Sequence, residues 1–354
     1  MHPREVLLGS QAAAFAMPVV DHYCGVEARM KKSLALQAEL IEEFGACVMD
    51  VTLDCEDGAP AGKEFEHANL VLNTLLAGIE CSRSAIKSIA PRIGVRLHAV
   101  DHAAFADDVR IIVGGAAQHL AYVMIPKVET AADVDLAAKA IDSAASQARA
   151  AKLPIHALIE SSAAVSKVFE IAAHPRVQSI SFGLMDFVSS HGGAIPASAM
   201  SAQGQFTHPL VIRAKLEIAA ACHAHGKVPS HCVVTEFADT AKLQDAATQA
   251  SQQLGFTRMW SIHPSQVRPI LEAMSPQWRD IEAAMKIVAL GADSHWAPAS
   301  FNGHLHDRAS YRYYWQLLER AFATGRLNFE HLPTCLHEFF TPASTTPALE
   351  SAAP

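Results

Sequence analysis

The sequence predicts a (β/α)8 barrel with a C-terminal helical appendage. Three observations predict it: eight short apolar runs, longer alanine-rich stretches between them with apolar residues at three- and four-residue spacing, and charged residues gathered just behind several of the runs. Unbroken apolar runs suit parallel strands buried on both faces, and a helix between successive runs supplies the crossover that parallel pairing needs.

Taken in order, the strands are expected over 14–20, 47–53, 94–97, 121–125, 155–159, 179–183, 228–234 and 259–262. Helices are expected over 26–44, 65–88, 131–151, 162–174, 210–225 and 238–254, where the apolar spacing turns helical. From about Ala292 the composition changes, because ADSHWAPASFNGHLHDRASYRYYWQLLERAFATG is aromatic and polar. The barrel is therefore assigned to 1–290 and a C-terminal appendage to 291–340. The closing TPASTTPALESAAP lacks the large apolar residues that offset ordering entropy, so 341–354 is expected to be a flexible tail.

Composition narrows the function classes. Of 354 residues, 50% are hydrophobic and 18% charged, enough to bury a sizeable core and unlike a disordered or disulfide-scaffold chain. A net charge of −8 gives no global footprint for nucleic acid or an anionic membrane, and no apolar run reaches membrane-spanning length. Glu5 and the single early Arg4 make a poor signal peptide, so a cytoplasmic location is expected. Seven cysteines without a CxxC pair, and 19 histidines without HExxH, point to neither a disulfide framework nor zinc; His223 and His225 read as surface residues. Phosphate-loop, dinucleotide and GxSxG signatures are missing from the strand-to-helix contexts they need.

In a barrel, side chains at the carboxyl ends of the strands converge on one mouth. The first such cluster is DVTLDCEDGAP, with Asp50, Asp54, Glu56 and Asp57 crowded together. Such crowding needs a cation, an arginine or solvent, which makes Glu56 and Asp57 candidates for a metal or base site. On the structural alternative Asp50 faces solvent, Asp54 caps backbone amides and Asp57 opens the turn.

Arg96 alternates with Val95 and Leu97, so it points into the barrel or its mouth, where it needs a protein carboxylate or a substrate anion. Lys127 and Glu129 read as a rim ion pair, with a Schiff-base lysine as the alternative. Glu160 ends an apolar strand, and Asp186 follows Gly183 at the end of the next, either as a helix N-cap or as a ligand. Adjacent strands lie about 5 Å apart, so both carboxylates can reach one Mg²⁺, which is held by one or two carboxylates with water and substrate completing its shell. His263 and Pro264 form a rigid turn that supports the mouth.

In this order LDCEDGAP, VRLH, IPKVET, ALIESS, FGLMDF, GF followed by IHPSQV, and NGHLHDRA resemble the HpcH/HpaI aldolase and citrate lyase beta-subunit family, especially its CoA-ester lyase branch, over about residues 46 to 320. The resemblance implies a (β/α)8 barrel, trimeric or hexameric, that uses Mg²⁺ to cleave or form a carbon–carbon bond in a β-hydroxyacyl-CoA such as malyl-, citramalyl- or citryl-CoA. It places the metal carboxylates on Glu160 and Asp186, the substrate-binding arginine on Arg96 and an acidic pair on Glu56 and Asp57. It also implies that an aspartate from a neighbouring subunit's C-terminal segment takes part in proton transfer, at Asp307 here.

The chain departs from the family pattern in two places. The N-terminal arginine has no clear counterpart, Lys31 and Lys32 being possible substitutes, and Cys232 stands where P-A-I-D has its aspartate. Two other readings remain open: an aldolase acting on a free hydroxy-oxo acid without CoA, and a non-catalytic or carrier-dependent citrate-lyase-like subunit.

Overall fold

The computed structural model describes residues 2–9, 17–85 and 89–340. Eight parallel strands close into a barrel in sequence order: β1 (Val20–Cys24), β2 (Met49–Asp54), β3 (Ile93–Arg96), β4 (Tyr122–Ile125), β5 (Ile155–Ile159), β6 (Val177–Phe182), β7 (Val228–His231) and β8 (Arg258–Ser261). The ring closes where Val20, Asp21 and His22 pair with Met259, Trp260 and Ser261. Helices such as Glu27–Phe44, Glu64–Ala85, Ala131–Gln147, Pro209–Ala224 and Thr240–Leu254 follow the strands near the expected positions. The expected helix over 162–174 is two shorter ones, Ser162–Ser166 and Val168–Ala173.

The first strand differs from expectation. It begins at Val20 and runs through VDHYC, and of the stretch expected to hold it, residues 14–16 lie outside the described part. Its polar residues concealed it, but they are satisfied from other strands. Asp21 accepts from Thr52 Oγ1 at 2.8 Å and from Trp260 Nε1 at 3.1 Å, and His22 Nδ1 meets Ser261 Oγ at 2.9 Å.

Below the mouth the barrel holds an ionic layer. Arg258 donates to Asp50 Oδ2 at 2.7 Å and pairs with Asp21 at 3.2 Å, while Arg92 donates to the other oxygen of Asp50 at 2.9 Å. Asp50, which the structural alternative turned to solvent, is fully buried because these two arginines neutralise it. Around this layer Val51, Leu53, Val95, Ile125, Ile159 and Phe182 join the helices in one apolar core.

The chain forms two compact units, one spanning Pro18–Met274 and the other joining the N-terminal segment to the residues from Ser275 onward. The division falls ahead of the boundary at 290 read from the sequence. Its cause is the helix Trp278–Asp293, whose Ile281, Ala284, Ile287 and Val288 share a cluster with Tyr311, Trp315 and Leu318 and with Leu7 and Leu8. This second unit carries the expected helical appendage and a two-stranded ribbon, Ala299–Phe301 with His304–His306. The tail expected over 341–354 lies outside the described residues. Among the described residues no helix is long and apolar enough to cross a membrane.

Candidate active site

The carboxyl ends of β2 to β6 supply the charged side chains of the barrel mouth. Asp54 is the last residue of β2, fully buried, and its carboxylate is used on every side. It accepts from the backbone N–H of Glu56 at 3.0 Å and of Gly58 at 2.8 Å. Gly58 is required there, since a Cβ would lie 2.2 Å from Asp54 Oδ2. On its open edge Asp54 takes a bidentate fork from Arg96, Nε to Oδ1 and Nη2 to Oδ2, both at 2.6 Å. This is the strong planar geometry of guanidinium and carboxylate.

Arg96 ends β3 and is buried, and a third contact at 3.0 Å ties its Nη1 to Glu56 Oε2. Its guanidinium lies over the Tyr23 ring, 5.0 Å from the centroid. Burial pushes the Tyr23 phenol up to about 12 and leaves it neutral, with Arg96 opposing and Asp54, Asp57 and Glu160 adding to the shift; burial works against the Arg96 charge, but Asp54 above all, with Glu56, raises it well above its ordinary range.

Glu160, immediately after β5, is buried at 5% exposure. Its Oε2 accepts the backbone N–H of Lys127 at 2.8 Å, and Gly183 after β6 leaves it room, since a Cβ there would lie 2.5 Å from Glu160 Cγ. Burial pushes the Glu160 carboxyl up to about 8, with Asp186 and then Glu56 adding repulsion. Glu160 and Asp186 line one cleft of about 370 Å³ together with Lys127, Glu129, Ser161 and Asp101.

The structure thus brings Arg96 and Glu56 into one network, and Glu160 and Asp186 onto one cleft, with Lys127 touching both groups. Asp57 is set differently: its side chain is 59% exposed and reaches Lys127 at 3.9 Å. Lys127 pairs through Nζ with Glu56 and not with Glu129, which instead accepts from Ser161 Oγ at 2.8 Å. Asp186 sits in the first turn of the helix Leu184–Ser189, whose N-cap is Gly183, so it is not itself the cap. His263 caps the turn Pro264–Gln266 and stacks on Phe237, as a rigid support would. Asp307 lies in the other unit, where it caps the helix Arg308–Ala323 by accepting from Ala309 at 2.9 Å and Ser310 at 3.2 Å. Lys31 is committed to Glu27 at 2.7 Å.

Sequence reasoning missed Asp54 as the chief partner of Arg96. The pairing rests on the register of β2 with β3, in which Asp54 stands opposite Arg96. Sequence reasoning also missed the pair at 2.7 Å between His98 Nδ1 and Asp108, which raises His98 above the usual imidazole range.

A divalent cation can be tested against this donor set. Among the described residues no group of three or more His, Cys, Asp or Glu is gathered for a metal, which does not match a closed zinc site. Two carboxylates on one open cleft, one of them driven toward protonation by burial and by the other's charge, match a hard ion that keeps water and substrate in its shell. The residues fit Mg²⁺.

A closed parallel barrel that gathers a pinned guanidinium and a carboxylate pair at its strand ends belongs to the class of (β/α)8 enzymes. The model of the HpcH/HpaI aldolase/citrate lyase family matches residues 33–264. An L-malyl-CoA/beta-methylmalyl-CoA lyase of Cereibacter sphaeroides is 32% identical over 265 residues, 71% of this chain and 79% of that protein. A citrate lyase of Burkholderia xenovorans LB400, solved as a crystal structure, is 44% identical with a TM-score of 0.78, covering 96% of this chain and 99% of that one. CitE of Mycobacterium tuberculosis, solved with magnesium and acetoacetate, is 25% identical with a TM-score of 0.54, covering 75% of this chain and 92% of that one. The chain belongs to the HpcH/HpaI aldolase/citrate lyase family and is an enzyme of the carbon–carbon lyase class.

Proposed function

We propose that the enzyme is a Mg²⁺-dependent lyase that cleaves or forms a β-hydroxyacyl-CoA of the malyl-, citramalyl- or citryl-CoA kind. The observation that carries this reading is the Glu160–Asp186 pair on one cleft, with Lys127 linking Glu160 to the Glu56–Arg96 network. Malyl-CoA in the name of the Cereibacter relative supports the thioester, and magnesium with acetoacetate in the Mycobacterium structure supports the ion.

Glu160 and Asp186 would hold the ion, which when bound supplies Lewis acidity and a template for the carboxylate and α-oxygen of an oxo-acid fragment. Arg96 is immobilised by its fork to Asp54 and its contact with Glu56, leaving other guanidinium N–H donors for a ligand. Those donors stabilise the negative charge that develops on the thioester enolate oxygen as the carbon–carbon bond breaks. Glu56 orients Arg96, and Glu56 or Asp57 can also orient a water. Asp307 of a second copy in a cytoplasmic homotrimer or hexamer completes proton transfer.

The test is to incubate malyl-, citramalyl- and citryl-CoA with and without Mg²⁺ and measure released oxo-acid directly. Release only with Mg²⁺, lost in Glu160→Ala, is the expected outcome. Wild-type turnover by Glu160→Ala removes the metal assignment, and cleavage confined to free hydroxy-oxo acids removes CoA.

A further inference from the structure

Among the described residues, five non-glycine residues have positive φ, and of these only Lys127 lines the cleft, at φ 53°. A lysine has no steric reason to adopt the left-handed region, so such a residue persists where its surroundings impose it. Here the chain is pinned on both sides. Ile125 lies within β4, and the N–H of Val128 donates to Leu158 O of β5 at 3.2 Å. The left-handed turn directs the Lys127 backbone N–H to Glu160 Oε2 at 2.8 Å, while its ammonium pairs with Glu56, which rests on Arg96 at 3.0 Å. One residue thereby touches a carboxylate on each side of the site.

We propose that Lys127 is a positioning residue: its backbone aims Glu160, and its ammonium fixes Glu56 so that Arg96 keeps its orientation. Neither the Schiff-base nor the rim-pair reading of this lysine assigns it that role. The inference rests on the reading of Glu160 as a metal carboxylate. It separates two functions in one residue, because glycine keeps the N–H and adopts positive φ freely while discarding the ammonium.

Lys127→Gly is therefore expected to bind Mg²⁺, titrated alone by calorimetry, within about twofold of wild type, and to lose about tenfold or more in kcat with little change in KM. Lys127→Ala, which loses the tether and keeps the backbone strain, is expected to bind Mg²⁺ about fivefold or more weakly than the glycine variant as the turn relaxes. Lys127→Arg is expected to recover part of the lost turnover. Because the lysine side chain acts through Glu56, Lys127→Gly/Glu56→Gln is expected to turn over no more than about threefold below Glu56→Gln alone.

Full kcat in Lys127→Gly, multiplicative losses in the double variant, or equal Mg²⁺ affinity in the glycine and alanine variants overturns the role. A wild-type protein that binds no Mg²⁺ overturns the metal reading instead, and the Glu56–Lys127 coupling is then judged on unfolding midpoints in metal-free buffer. Additive midpoints there refute the positioning contact as well.

Discussion

Glu160→Gln in metal-free protein should make the barrel more stable, and increasingly so as pH rises. Burial and the neighbouring Asp186 push the Glu160 carboxyl from its ordinary 4.5 up to about 8. Between those values the unfolded chain has released this proton while the folded chain retains it, so folding stability falls as pH rises, by up to about 1.4 kcal/mol per pH unit. Nothing is lost below pH 4.5, and by pH 8 the accumulated cost is on the order of 4 kcal/mol. Glutamine cannot ionise and still offers a carbonyl oxygen to the Lys127 N–H, so it escapes this cost. Scanning calorimetry in EDTA at pH 5, 7 and 8.5 should show the variant's midpoint drawing ahead of wild type by roughly 5 to 10 °C at the top of the range. Saturating Mg²⁺ should close most of that gap by stabilising wild type alone. A wild-type-minus-variant difference that does not change with pH would refute the claim that burial, with Asp186 beside it, holds this carboxyl protonated.

The same proton predicts that Mg²⁺ binding at pH 7 releases close to one proton, measured by calorimetry in buffers of different ionisation enthalpy, with release falling toward zero well above pH 8. Gly183→Ala places a Cβ 2.5 Å from Glu160 Cγ and should weaken Mg²⁺ binding by about tenfold or more while circular dichroism stays native. Arg96→Lys substitutes a point charge for a planar fork and should lower kcat by at least about a hundredfold in the oxo-acid assay. Asp54→Asn should destabilise the barrel by roughly 3 to 5 kcal/mol in denaturant titration, because it leaves that guanidinium buried without its main anion. Co-expressing Glu160→Gln with Asp307→Asn, both inactive alone, should restore roughly a quarter of wild-type turnover in mixed oligomers; no recovery argues against sharing of Asp307 between subunits. Asparagine preserves the helix cap in that variant.

The barrel was legible because its strands are short apolar runs whose burial on both faces leaves no room for alternation. VDHYC was not legible, since Asp21, His22 and Tyr23 are satisfied by residues far away in the chain that no local pattern reveals. The same cause hid the depth of Asp50, whose neutralising arginines arrive from β8 and from the residue preceding β3. Strand-end position was enough to place Arg96, Glu56, Glu160 and Asp186 at the barrel mouth. The partnership of Arg96 with Asp54 depends on register, Asp54 standing opposite Arg96 across β2 and β3, which spacing along one strand does not supply. The positive φ of Lys127 leaves no trace in composition, because lysine is not a residue that marks such turns.

The grouping of the N-terminal segment with the C-terminal helices has a bearing on how the polypeptide matures during translation. Leu7 and Leu8 are made before the barrel, yet the helices that cover them leave the ribosome only after it. All eight strands emerge in between, so the barrel can close while that smaller unit still lacks most of its sequence. A deletion that removes Leu7 and Leu8 would then trouble a unit that assembles after the barrel, leaving the catalytic half folded and its companion unfinished.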